Sequence, residues 1–308
     1  MTLTGMPFPP AFWRIGRVAM TGGLILLLWQ AADGPAILHS LTAADPRWIA
    51  AAITILMCQT MLSALRWKVT AAALGQTLPA RHAVREYFMS QAVNQSLPGG
   101  VIGDAARAVR ARAEVGLAIS GLAVGLERLA GQIAMFVALT FAFIITYFWQ
   151  GGLDWPDRYA AALGLAIGLV SFAVLICMLI QGRTRLLTPT AKRWVALAVQ
   201  ALLSARVLPA QIGLGVLITL CNLAAFGLCA WAIGQPLSLG AVFAVVPLIL
   251  FTMLIPLTIS GWGLREGSAA ILLPIAGMSV ADAVATSVLF GLVMLLAVIP
   301  GFVAMVVK

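Results

Sequence analysis

Charge is scarce in this 308-residue chain: Asp, Glu, Lys and Arg together make up only 9% of it. A water-facing surface carries roughly 25% charged residues, so a soluble globule of this size is excluded. Intrinsic disorder is excluded too, because it requires low hydrophobicity. Histidine is nearly missing, with His39 and His82 alone. The four cysteines (Cys58, Cys177, Cys221, Cys229) stand inside apolar runs with no CxxC spacing. A disulfide framework and a Cys/His metal centre are therefore not expected, and thiols acting as small hydrophobes are. There is no HExxH, GxSxG or GxxxxGK[ST] run, so no catalytic residues, resident metal, cofactor or ATP site are expected.

What fills the chain instead is apolar: 62% of residues are hydrophobic and the mean hydropathy is +1.04. Hydrophobic side chains must then reach the outside as well as the core, so the solvent around them is lipid. Crossing about 30 Å of hydrocarbon takes about 20 apolar residues. Spans are expected near 15–32, 48–65, 119–149, 160–180, 210–233, 238–258 and 283–307, the first as an uncleaved anchor. Trp29, Trp48, Trp67, Trp149 and Trp231 fall near their ends, where indole prefers the headgroup zone.

The formal charge of +9 is unevenly placed. Arg14 and Arg17, the cluster Arg66, Lys68, Arg81, Arg85, Arg107, Arg110 and Arg112, and the group Arg183, Arg185, Lys192, Arg193 and Arg206 fall on one side of the expected spans. The connections 33–47 and 150–159 hold one Arg each and are mainly acidic. The positive-inside rule then makes the basic side and the N-terminus cytoplasmic, with the protein in the cytoplasmic (inner) membrane. The basic excess is read as topology, and no nucleic-acid partner is expected.

Two stretches are neither spans nor plain loops. Segment 79–114 is broken by Pro98-Gly99-Gly100 and Gly103; segment 259–282 is broken by Gly261, Gly263, Gly267, Pro274 and Gly277. A helix over 264–276 is about 20 Å long, too short to cross, so both segments are expected to be re-entrant hairpins. Such backbone is tolerated at membrane depth only when buried in protein or lining a cavity. A third segment, 189–206, sets Lys192 and Arg193 beside Trp194, Leu197 and Leu202, the pattern of a helix lying on the interface. The expected fold is all-α: one polytopic transmembrane bundle over 1–308, about seven to eight spans, two re-entrant half-helix segments, and a possible internal repeat with halves 1–150 and 160–308.

Three polar constellations carry the chemistry. In NQSLPGGVIGDAARAVR (94–110), Gly99, Gly100 and Gly103 free the backbone, and Asp104 is placed to cap the next helix. Asp104, Arg107, Arg110 and Glu114 then fall three or four residues apart, on one broad helical face. With Asn94, they make a candidate anion site; the plain alternative is a solvated loop. In ISGWGLREG (259–267), Arg265 and Glu266 are the only charges between Arg206 and Asp282. Charges so deep are costly, usually paired, and face a cavity or the bundle interior; an interfacial turn is the alternative. In LERLAGQ (126–132), Glu127 and Arg128 read as lying just inside the interface. Arg128 and Gln132, one turn apart, line a polar seam or simply snorkel.

LRW at 65–67, LPGGVIGDAAR, LER at 126–128 and GWGLREG in this order resemble the membrane domain of the lysylphosphatidylglycerol synthases, over about residues 15–305. That family includes stand-alone flippase-like membrane proteins. The resemblance implies a helical fold with two re-entrant segments and a role in moving lipids between leaflets. The matching positions are Asn94, Pro98, Gly103, Asp104, Arg107, Glu127, Arg128, Gly263, Arg265 and Glu266. The soluble aminoacyl-transfer domain of the full synthases does not follow in this sequence, so synthase activity is not the expectation and substrate identity is not carried over from the resemblance.

The function expected is lipid translocation: a groove lined by Arg107, Arg110, Arg128 and Arg265 replaces headgroup hydration, while Asp104, Glu127 and Glu266 keep those arginines oriented. The arginine excess favours an anionic head on a phospholipid or polyprenyl phosphate; hopanoid-type lipids stay open, as do a homo-oligomer and an envelope-pathway partner. A membrane-embedded transferase or hydrolase is the enzyme alternative, and a non-transporting scaffold the third.

Overall fold

The computed structural model describes residues 10–97, 100–148, 153–182, 188–255 and 257–307, and every regular element among them is helical. Pro98, Gly99, Trp149, Arg183 and Arg185, named above, lie outside the described residues. Helix α1 (Pro10–Ala31) turns at Asp33, a left-handed residue at φ 55°, into α2 (Gly34–Thr42) at 93°. Three long apolar helices follow at intervals: α3 (Pro46–Ala73), α6 (Gly116–Phe148) and α9 (Leu208–Ala232). A fourth is the nearly continuous pair α13 (Val280–Ala297) and α14 (Ile299–Val306).

Among the described residues these four are long and apolar enough to cross a membrane, or five with the bent α1–α2 pair. Fewer spans are therefore shown than the seven to eight expected. One reason lies in segment 238–258. It is not a span but two short helices, α10 (Leu239–Ala244) and α11 (Val246–Phe251), ended by a 3-10 turn at Thr252–Leu254. Pro247 interrupts it, and its helical length of about 24 Å falls short of the hydrocarbon. Helix α7 (Asp157–Gly182) fills the place of the fourth expected span, and α8 (Pro189–Leu203) is the helix expected over 189–206, with Lys192, Arg193 and Trp194 exposed.

Both broken segments fold back on themselves. Helix α4 (Ala80–Ser96) and α5 (Ile102–Arg110) form the first hairpin. The segment α10–α11 and α12 (Leu264–Leu272), extended by a 3-10 turn to Ala276, form the second. They enter from opposite ends of the bundle. At one end, Gln76 donates to the Ala111 carbonyl and the Thr77 N–H to Glu114 at 2.8 Å, so the first hairpin begins and finishes there. At the other end, Asp45 N–H meets the Ala232 carbonyl at 2.8 Å, Ser40 meets Asp282 at 2.8 Å, and Asp154 and Arg158 border one recess with Pro274 and Gly277. The second hairpin begins and finishes at that end.

Between helices in lipid the hydrophobic drive is weak, so close packing of small residues does the work. Ala52, Ala64 and Ala71 of α3 and Ala225 and Ala230 of α9 are wholly buried. Leu26, Leu27, Phe141, Leu165 and Val303 stay more than half exposed, as lipid-facing side chains do.

Candidate functional site

The two hairpin tips meet. The Ser260 hydroxyl donates to the carbonyls of Asn94 (2.8 Å) and Gln95 (3.0 Å). Ser260 has φ 48° and is followed by Gly261 (φ 79°) and Gly263 (φ 88°), so this tip turns through left-handed backbone that glycine tolerates best. Helix α1 braces it: the Ile259 N–H donates to Thr21 Oγ1 at 3.2 Å, and a Cβ on Gly263 would sit 2.6 Å from Leu24.

Beside this junction lies a cavity of about 230 Å³. Its walls carry Gln59, Ser63 and Arg66 from α3, Tyr87, Gln91 and Asn94 from α4, and Glu127, Arg128 and Gln132 from α6. Thr219 and Asn222 of α9, Ser260, and apolar groups including Phe251, Phe290 and Met294 complete it.

Within and behind the polar wall runs a row of five alternating charges. Arg66 donates to Glu127 at 2.8 Å; Glu127 lies 3.5 Å from Arg107; Arg107 pairs with Asp104 at 2.8 Å; and Asp104 pairs with Arg128. Both ends, Arg66 and Arg128, border the cavity, whereas Arg107 and Asp104 do not. Arg107 is wholly buried between two rings, its guanidinium 4.5 Å from Trp67 and 4.3 Å from Tyr87. A desolvated cation–π contact is worth about 2 kcal/mol, part of what offsets burying the charge. The Tyr87 hydroxyl donates to Glu127 at 3.2 Å. Three guanidinium groups face two carboxylates, so the row keeps one surplus positive charge. Arg66 Nη1 and Arg128 Nε are buried and make no hydrogen bond within the protein.

The first hairpin is shaped to build this row. Asn94 accepts from the Gly103 N–H at 2.8 Å and donates to Asp104 at 3.1 Å; Ser90 donates to the same carboxylate at 3.0 Å. Gly103 is obligatory, since a Cβ there would sit 2.0 Å from the Ser90 carbonyl oxygen. Asp104 thus does not cap α5, as its position suggested: Val101 occupies the N-cap, and the carboxylate is spent on two arginines and two neutral donors. Nor do the four charges of that helix share one task. Arg110 turns to Glu86, and Glu114 lies past the helix end, bonded to Thr77. The Thr77 N–H and hydroxyl hold the exposed Glu114 carboxyl below its usual range.

The second charged group sits one side-chain layer from the cavity. Arg265 pairs with Glu266 and donates to Ser287 at 3.1 Å, with its guanidinium 5.0 Å from Trp262 and 5.7 Å from Phe290. Glu266 reaches back to the Gly263 N–H at 2.6 Å and so caps α12. The pair carries no net charge, and Phe290 and Met294 stand between it and the cavity.

Of the sequence candidates, Asn94, Gly100, Glu127, Arg128 and Gln132 therefore border one cavity. Gly103, Asp104 and Arg107 support it from behind; Arg265 and Glu266 brace the opposing tip; Arg110 points elsewhere. Gly99 lies outside the described residues. Glu127 is wholly buried, within one continuous 33-residue helix. Arg66 and Tyr87 were missed: Arg66 read as a topology charge, although its neighbour Gln59 and Asn222 of α9 are polar groups inside apolar runs that mark the same cavity. Among the described residues, no group of His, Cys, Asp and Glu is arranged to hold a metal ion.

Residues 14–301 match the family described as the lysylphosphatidylglycerol synthase TM region. The chain belongs to that family. The match spans both hairpins and every charged residue of the cavity. No curated protein matches the sequence. Family membership and the apolar helices together make this an integral membrane protein of a lipid-related family.

Proposed function

We propose that the protein is a lipid translocator, not an enzyme, which passes an anionic, phosphate-bearing headgroup between leaflets through the cavity at the hairpin junction. The observation that carries this reading is the charge row, whose two ends, Arg66 and Arg128, border the cavity and which keeps one surplus positive charge. A bare charge at the bilayer centre costs about 3 kcal/mol on insertion scales, and more on an isolated helix. Arginine offers planar, bidentate donors that replace phosphate hydration. Lipid tails remain outside among the exposed apolar side chains while the head uses the cavity. Hairpins entering from opposite ends, with tips in contact, are the kind of geometry by which alternating access is achieved in duplicated transporters.

The excess of arginine at the Arg85 end supports placing that end and the N-terminus on the cytoplasmic side of the inner membrane. Partners are then membrane lipids, and no cofactor is needed.

Reconstitution into liposomes tests the proposal. Fluorescent phosphatidylglycerol in the inner leaflet becomes accessible to dithionite when lipid is exchanged. The wild-type protein is expected to bring most inner-leaflet label to the outside, and Arg128→Ala to slow exchange about tenfold while remaining folded, the loss of one charge-assisted contact. Exchange no faster than in protein-free vesicles, from well-folded protein, refutes translocation. A normal rate in Arg128→Ala removes the charge row from the path.

A further inference from the structure

A second basic recess lies far from the hairpin junction, at the outer end of α4. It is an open hollow of about 580 Å³ between the first turns of that helix and the end of α14, bordered by Arg81, His82 and Arg85 on one side and Ala304 and Val307 on the other. We infer that this recess binds the headgroup of an anionic phospholipid, at a site separate from the cavity.

The charge is one-sided. Arg81 and Arg85 lie one turn apart on the same face with His82 beside them, and no acidic side chain borders the recess among the described residues. The adjacent Glu86 does not neutralise it, because that carboxylate is buried and turned to Arg110. Arg85 is partly committed, donating to the Ala304 (3.0 Å) and Val307 (2.7 Å) carbonyls at the end of α14. Arg81 and His82 remain exposed.

The two walls of the recess are closely packed. Helix α14 lies against α4 at main-chain distance, since a Cβ on Gly301 would meet the Phe88 carbonyl oxygen at 2.2 Å. The wall of α14 runs on into Phe302, Val303 and Val306, exposed over 41%, 55% and 84% of their surfaces. A cationic hollow that continues into an uncovered apolar stripe matches a molecule with a phosphate head and hydrocarbon tails. Basic hollows between membrane helices take anionic lipid heads by this chemistry. A soluble anion would use the hollow and leave the stripe uncovered. The lipid held there ties α14 to α4, the outer limb of the first hairpin.

Thermal unfolding of the full chain in neutral detergent tests the inference, with phosphatidylglycerol, phosphatidylcholine or inorganic phosphate added in turn. Phosphatidylglycerol is expected to raise Tm by about 3 °C or more, and phosphatidylcholine and phosphate to leave it unchanged. The double variant Arg81→Gln/His82→Gln, altered only at exposed side chains, should lose most of the shift. Arg128→Ala, altered in the cavity, should keep it. The site is refuted if the double variant keeps the full shift, if phosphate or phosphatidylcholine reproduces it, or if wild type shows none; loss of the shift in Arg128→Ala alone assigns the lipid to the cavity instead. Lipid exchange in liposomes is a separate readout, so this outcome does not depend on translocation.

Discussion

The Ser260 hydroxyl lies 2.8 Å from the Asn94 carbonyl oxygen, and through that bond the tip of one hairpin holds the tip of another that enters from the opposite end. Ser260 therefore has two separable jobs: it donates to Asn94 and Gln95, and it accepts a left-handed backbone at φ 48°. Ser260→Ala and Ser260→Gly both lose the hydrogen bonds, worth about 1 kcal/mol each. Only glycine relieves the backbone, by about 1–2 kcal/mol. The alanine variant should thus unfold at a lower temperature than the glycine variant in detergent. Equal values would mean that the tip has relaxed out of its left-handed turn.

Glu127 separates two buried guanidinium groups and accepts from Tyr87. Glu127→Gln keeps the shape and removes the charge, leaving Arg66 and Arg107 short of a partner. Breaking a buried pair this way costs about 3–5 kcal/mol, so little monodisperse protein is expected on size-exclusion chromatography. Glu127→Asp keeps the charge and should be recovered in larger amount. If the glutamine variant matches wild type in yield and Tm, the row is not held by electrostatics.

Arg265 and Glu266 give a contrasting case because they neutralise each other. Arg265→Ala strands Glu266 and should lower stability by about 3–5 kcal/mol. The pair Arg265→Met/Glu266→Gln removes both charges yet keeps an oxygen for the Gly263 N–H. It is expected to recover at least half of that loss in thermal unfolding. A double variant as unstable as Arg265→Ala would show that the guanidinium acts through its rings, Trp262 and Phe290, and not through its partner.

Glycines divide sharply by what surrounds them. Gly103→Ala puts a methyl 2.0 Å from main-chain oxygen of the facing limb and should abolish the hairpin and the folded protein. Gly125→Ala, with nothing within 4 Å, should be neutral or raise stability by up to about 1 kcal/mol, as helical Gly-to-Ala exchanges do. Comparing fluorescent-fusion elution profiles of the two variants checks both.

Much of this was legible in the sequence and some was not, for identifiable reasons. Long apolar runs gave α3, α6, α9 and α13–α14, since hydropathy over 20 residues reports length and solvent directly. Glycine clusters marked both hairpin tips, because left-handed turns and close approaches leave few other choices. Segment 238–258 misled because an apolar hairpin limb buried in protein has the hydropathy of a span; only its Pro247 and its helical length distinguish it. Arg66 was hidden because its partner Glu127 is 61 residues away, and charge at the edge of an apolar run has the same pattern whether it faces water or a buried carboxylate. Asp104 sits where an N-cap is expected, but the helix begins earlier, with Val101 at the cap, and the Asp104 carboxylate goes to Arg107 and Arg128.

Five alternating charges form an odd set, and no reshuffling of side chains can balance it. In the proposed translocation an anionic headgroup arriving from outside makes it even, and its departure restores the original imbalance. Such an arrival moves charge part-way through the electric field across the bilayer, where each elementary charge feels about 2.3 kcal/mol per 100 mV. Under the proposed translocation, occupancy of the cavity should therefore follow the voltage of the cell, and the direction of net lipid flow with it.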